Sequence, residues 1–186
     1  MNKTMNKTIV QTLIGMMVLC LLGACSKAGH KKEDKDTSSD KHTYEISITG
    51  GKTYKGGAPR YAPGVAEQYH AIAYVIDDEE AGRGVSIMLQ DHGAFQIGIG
   101  FLLDDNNRPS RTERQGFGFG EWGTEDKYGP AGPISMTLKN YQEHVHSFAG
   151  EEGTVVSFTL SFSGRFKLGA DGEEVDVDGE IIIAAP

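Results

Sequence analysis

Thr154-Val155-Val156-Ser157-Phe158-Thr159-Leu160-Ser161-Phe162-Ser163-Gly164-Arg165-Phe166 decides the fold. Phe158, Leu160 and Phe162 alternate with Thr159, Ser161 and Ser163, so a strand puts the large apolar groups on one face and the hydroxyls on the other. One buried and one wet face is the mark of an antiparallel sheet. Similar short apolar runs occur at 44–49, 71–76, 84–90, 95–103, 116–122, 134–141 and 175–184. Turn-forming clusters separate them, among them Asp77-Asp78-Glu79-Glu80, Asp104-Asp105-Asn106-Asn107 and Gly169-Ala170-Asp171-Gly172. The pattern predicts an all-β fold over residues 44–186, an antiparallel β-sandwich of about eight strands, with a partly open β-barrel as the alternative. Residues 52–70, with Gly56, Gly57, Pro59, Pro63 and Gly64, read as a long loop over one end. One run is ambiguous: Leu138, Tyr141, Val145 and Phe148 have helical spacing, whereas Ile134, Met136 and Leu138 alternate. The alternation and the preceding Pro133 favour a strand to about Tyr141.

Ahead of this domain, Lys3 and Lys7 introduce an apolar run from Ile9 to Leu22 that ends in Leu22-Gly23-Ala24-Cys25. The run is short for a spanning helix and closes on small residues, as secretory signals do. This segment resembles the signal and lipobox of bacterial lipoproteins. The resemblance implies removal of residues 1–24, lipid on Cys25 and membrane attachment in the cell envelope. Ser26, rather than aspartate, follows the cysteine, which by the same resemblance implies the outer membrane. Residues 25–43 are almost wholly polar and read as the lipidated cysteine and a flexible tether reaching roughly 20–25 Å.

The chain carries 26 acidic and 18 basic residues for a formal charge of −8, and loss of the signal would remove two of the lysines. No basic stripe exists to displace phosphate counterions, which argues against nucleic acid. No glycine loop opens a helix to hold a nucleotide. The cysteines are Cys20, within the signal, and Cys25, so no disulfide is expected in the mature domain. There is no Gly-x-Ser-x-Gly elbow and no thiol left for catalysis, and we expect no enzymatic activity. The acidic balance suits solubility or a basic protein partner, such as a cell-wall hydrolase to be inhibited or a toxin to be neutralised.

Three features bear on binding. Gly98 and Gly100 alternate with Ile97, Ile99 and Phe101, and Gly116, Gly118 and Gly120 alternate with Phe117 and Phe119. Paired strands of this kind would have one face nearly bare of side chains, beside Glu121, Trp122 and Tyr128. Together with Arg60 and Tyr61 these are the candidate ligand-binding residues, for a protein partner or, alternatively, a carbohydrate or assembly contact. Second, His144-Val145-His146 puts two imidazoles on one face if the segment is a strand, where they could share a Zn or Cu ion. His144-Val145-His146-Ser147-Phe148-Ala149-Gly150 resembles the His-x-His-x-Phe-Gly segment of copper/zinc superoxide dismutases, which implies copper ligation by His144 and His146. Third, Asp171, Glu173, Glu174, Asp176 and Asp178 form an acidic run without the spacing of a calcium loop; Asp176 and Asp178 read as the wet face of a strand.

Overall fold

The computed structural model describes residues 41–60, 71–80, 82–91, 93–111, 116–148 and 151–186. The described residues form ten strands and no helix. They are β1 (Lys41–Ile48), β2 (Thr53–Pro59), β3 (Ala71–Asp78), β4 (Gly82–Asp91), β5 (Phe95–Leu103), β6 (Pro109–Arg111), β7 (Gly118–Glu121), β8 (Tyr128–Phe148), β9 (Glu151–Leu168) and β10 (Glu174–Ile183). Their hydrogen-bonded order is β2-β1-β10-β9-β3-β4-β5-β7-β8, with β6 on β5 and β8 also paired to β9. Every strand pairing is antiparallel.

Two of these joints consist of one residue pair each, Tyr74 with Val155 between β3 and β9, and Phe119 with Tyr128 between β7 and β8. They act as corners. One layer is β2-β1-β10-β9-β8, the other β3-β4-β5-β7, and their inner faces pack together as in a sandwich. The expected all-β antiparallel fold is what the chain forms.

The alternating pattern dictates which side chains meet between the layers. Phe158, Leu160, Phe162 and Phe166 point inward from β9, opposite Ile97, Ile99 and Phe101 of β5 and Phe119 of β7, all buried. Aromatic rings join the layers: Tyr44 stacks on Phe95 with centroids 4.3 Å apart, and Phe117 meets Phe162 edge-on at 4.9 Å. At one rim, Arg83 of β4 reaches across to Glu143 of β8 at 2.6 Å, and Tyr141 donates to the same carboxylate.

Four boundaries differ from the sequence reading. Residues 53–59 form β2 rather than part of a long loop, because Tyr54 and Ala58 alternate inward with Gly56 between them. A Cβ at Gly56 would run into Tyr44 and Asp91, so glycine here records a tight inner contact, not a turn. The remainder of that loop, 61–70, lies outside the described residues. β8 continues past Tyr141 to Phe148, and the helical stripe through Val145 and Phe148 does not form. A left-handed residue, Asn140 with φ 56°, permits a bulge between Lys139 and Gln142 and lets the strand resume. β6 was not expected. β1 begins at Lys41, with His42 buried, so residues 41–43 of the expected tether belong to the sheet; 25–40, like Cys25, lies outside the described residues.

Candidate functional site

The wet face of the founding strand carries a shallow depression. Ser161 and Ser163 point outward from β9, and the register carries the same polarity to its neighbours. Ser163 aligns with Asp178 of β10 and Ser135 of β8, and Asp178 aligns with Ser47 of β1. The next row is Glu45, Glu180, Ser161 and Thr137. Strands lie about 4.8 Å apart and alternate residues about 7 Å apart, so the rows make a grid roughly 14 Å across. These residues line a shallow depression of about 490 Å³.

Three carboxylates and five hydroxyls therefore face solvent together. Glu45 pairs with Lys55 at 2.7 Å, but both side chains are more than half exposed and the pair is easily exchanged. Asp178 and Glu180 have no cationic partner among the described residues. Arg165 is bound to Glu174 at 3.0 Å beyond the edge of the depression. Antiparallel neighbours on one face reinforce each other's charge, and Glu45 lies beside Glu180 in register. The face therefore presents carboxylate and hydroxyl oxygens, which accept hydrogen bonds.

The residues singled out from sequence are placed differently from one another. β5 and β7 do pair, with Gly98 opposite Gly118 and Gln96 opposite Gly120, so the glycine-rich outer face exists. A Cβ on Gly98 would meet nothing within 4 Å, so that part is open. At its other end Lys127 lies over Gly120 and donates to the carbonyls of Glu121 and Thr124, both at 2.6 Å. Burial holds the Lys127 ammonium below its ordinary pKa. Tyr128 turns inward and stacks on Phe119 at 5.2 Å, contributing to the core rather than to a platform. Trp122 is half-buried beside Gly93 in the turn before β5. Glu121 pairs with Lys52, whose ammonium holds the carboxyl below its usual range. Arg60 lies past the opposite end of β2 from Lys52, where its guanidinium donates to the Ala185 carbonyl. Glu121 and Trp122 are thus neighbours, while Arg60 is remote from them. Tyr61 lies outside the described residues.

His144 and His146 share one face of β8, paired with Val155 and Gly153. The Nε2 of His144 is 2.9 Å from the Ser157 hydroxyl, and His146 lines a separate small cavity with His42 and Arg60. Among the described residues no three His, Cys, Asp or Glu side chains are grouped so as to hold a metal ion.

The residues missed from sequence are Glu45, Ser47, Ser135, Thr137 and Glu180. Their signal was present as the outward half of each alternating run, but only register shows that four such halves align. Comparison with protein-family models, with curated proteins and with solved structures found no match for this chain.

Proposed function

We propose that this protein is a non-enzymatic binding module, held at a bacterial envelope membrane by lipid on Cys25, that captures a basic protein on the outer face of β1, β10, β9 and β8. The observation that carries this reading is the depression lined by Glu45, Asp178, Glu180 and five hydroxyls, with two of the carboxylates lacking cationic partners among the described residues. Lysine or arginine side chains of a partner would pair with the carboxylates, and the serines and threonines would take up its backbone and polar groups. Leu22-Gly23-Ala24-Cys25 supports the anchor, Ser26 after the cysteine supports the outer-membrane placement, and the acidic net charge adds long-range attraction for a cationic partner. A carbohydrate role draws less support, because Tyr128 is committed to the core and, among the described residues, no aromatic ring borders the acidic depression except Phe162. The test is capture from envelope extract with the full chain as bait. Retention of one basic protein at near-equal stoichiometry, released by salt, is the expected result; retention of acidic proteins, or salt-insensitive retention, would contradict the proposal.

A further inference from the structure

We propose that the outer face of β3, β4, β5 and β7 is a dimer interface, on which a second copy of this chain packs face to face about a two-fold axis. Ala73, Ile87, Ile99 and Phe119 of these strands lie in the core, so alternation turns their neighbours outward. Register sets those neighbours in rows. Ile72, Met88, Gly98 and Gly118 share one row. Ile76, Gly84 and Leu102 share another, and Tyr74, Ser86 and Gly100 lie between the two. None of these residues is charged. The outer face of the other layer, by contrast, carries Glu45, Lys55, Asp178 and Glu180 among hydroxyls, as a solvated sheet face does. An apolar outer face beside a wet one, with Ile76 41% exposed on it, marks a contact surface.

The shape of the face identifies the occupant. In each outward pair between β4 and β5 one member is glycine: Met88 faces Gly98, Ser86 faces Gly100, and Gly84 faces Leu102. A half-turn about an axis along the strands, between β4 and β5, exchanges the members of every pair. Met88 of each copy then lies over Gly98 of the other, Ser86 over Gly100, and Leu102 over Gly84. The same rotation carries Ile72 of β3 over Gly118 of β7. A Cβ at Gly98 would meet nothing within 4 Å, and one at Gly118 nothing nearer than 3.8 Å, so the hollows are open. The patch fills its own hollows, which is what an isologous contact requires and what no other occupant needs. Four strands about 4.8 Å apart and three rows about 7 Å apart give roughly 400 Å² in plan. With side-chain relief, two copies bury about 1,000 Å², the lower end for a specific interface. The wet face of the other layer stays outward in this dimer, so the contact does not depend on capture of a basic partner.

Sedimentation of the full chain tests this, in detergent with micelles in excess over chains so that lipid does not itself pair the copies. An interface of this size dissociates in about the micromolar range, so the wild type at roughly 100 µM should have the mass of two chains. Gly98→Glu puts a carboxylate beneath Met88 of the second copy, where it loses water without gaining a partner. Its own Cβ is unobstructed, so the melting temperature should hold within a few degrees while the dissociation constant rises at least about tenfold. Thr159→Glu makes the same change of charge on the outer face of the other layer and should leave the dimer intact. Ser86→Cys stands beside the axis, and a bifunctional maleimide spanning about the 10 Å between packed sheets should join residue 86 of two copies, read by mass spectrometry of the linked peptide. A wild-type mass of one chain, equal weakening by Gly98→Glu and Thr159→Glu, or absence of the link through residue 86 would overturn the interface. Should Gly98→Glu fail to fold, the wild-type mass and that link decide.

Discussion

The phenol of Tyr44 donates to the Asp91 carboxylate at 2.7 Å across the two layers, and both groups lie against Gly56. Burial first, then the Asp91 hydrogen bond and charge, push the phenol well above its ordinary range. A raised acid is stabilising in its neutral form. The contribution is therefore complete below the unfolded phenol's value of about 10 and is lost as pH rises above it. Tyr44→Phe should cost about 1–3 kcal/mol at neutral pH, because the carboxylate loses its donor. It should also flatten part of the alkaline decline, leaving the part due to Tyr141, whose phenol is raised by burial and by Glu143. Urea unfolding at neutral and alkaline pH measures both. Gly179 makes a second residue-scale case, because a Cβ there would collide with the Phe162 ring on the inner face of β10. Gly179→Ala should destabilise by about 1–3 kcal/mol, as overpacking does, and a loss below a few tenths in the same unfolding assay would show that the ring can move aside.

At the scale of elements, β8 and β9 frame the molecule, and their legibility differed. The β9 alternation from Phe158 to Phe166 is unbroken, so period alone located it and its two faces. β8 changes phase at the bulge between Lys139 and Gln142, and the phase change is what made Leu138, Tyr141 and Val145 resemble a helix. Asn140 takes the left-handed conformation that the bulge requires. Asn140→Val should cost about 1–2 kcal/mol in unfolding experiments, whereas Asn140→Gly should be neutral or mildly stabilising. Equal effects of the two would mean that the backbone there is not what matters. β2 was hidden for a related reason: Gly56, Gly57 and Pro59 are turn residues in isolation, and only the packing of Tyr44 and Asp91 against Gly56 explains glycine inside a strand.

For the whole molecule, the class of fold could be read from alternation and turn spacing, and eight of the ten strands lay where apolar runs place them. The candidate site was legible only in fragments. Thr159, Ser161 and Ser163 were visible as a wet face and Asp176 and Asp178 as another, but their union with Glu45, Glu180, Ser135 and Thr137 depends on the order β1-β10-β9-β8, which brings together strands distant in sequence. Conversely, Tyr128 drew notice for its size, and it is its size that packing uses.

If a basic partner docks on the outer face of β1, β10, β9 and β8, the position of the negative charge should matter more than its total. The most direct measurement compares binding of a cationic polymer, poly-lysine, to Asp178→Lys/Glu180→Lys and to Asp171→Lys/Glu173→Lys, two variants with the same change in net charge. Asp171 and Glu173 are exposed at the turn between β9 and β10, outside the depression. The first pair should weaken binding by about tenfold or more, a change of about 1.4 kcal/mol, while the second should change it by far less. Equal weakening by both pairs would reduce the attraction to net charge alone and contradict a binding face on this sheet.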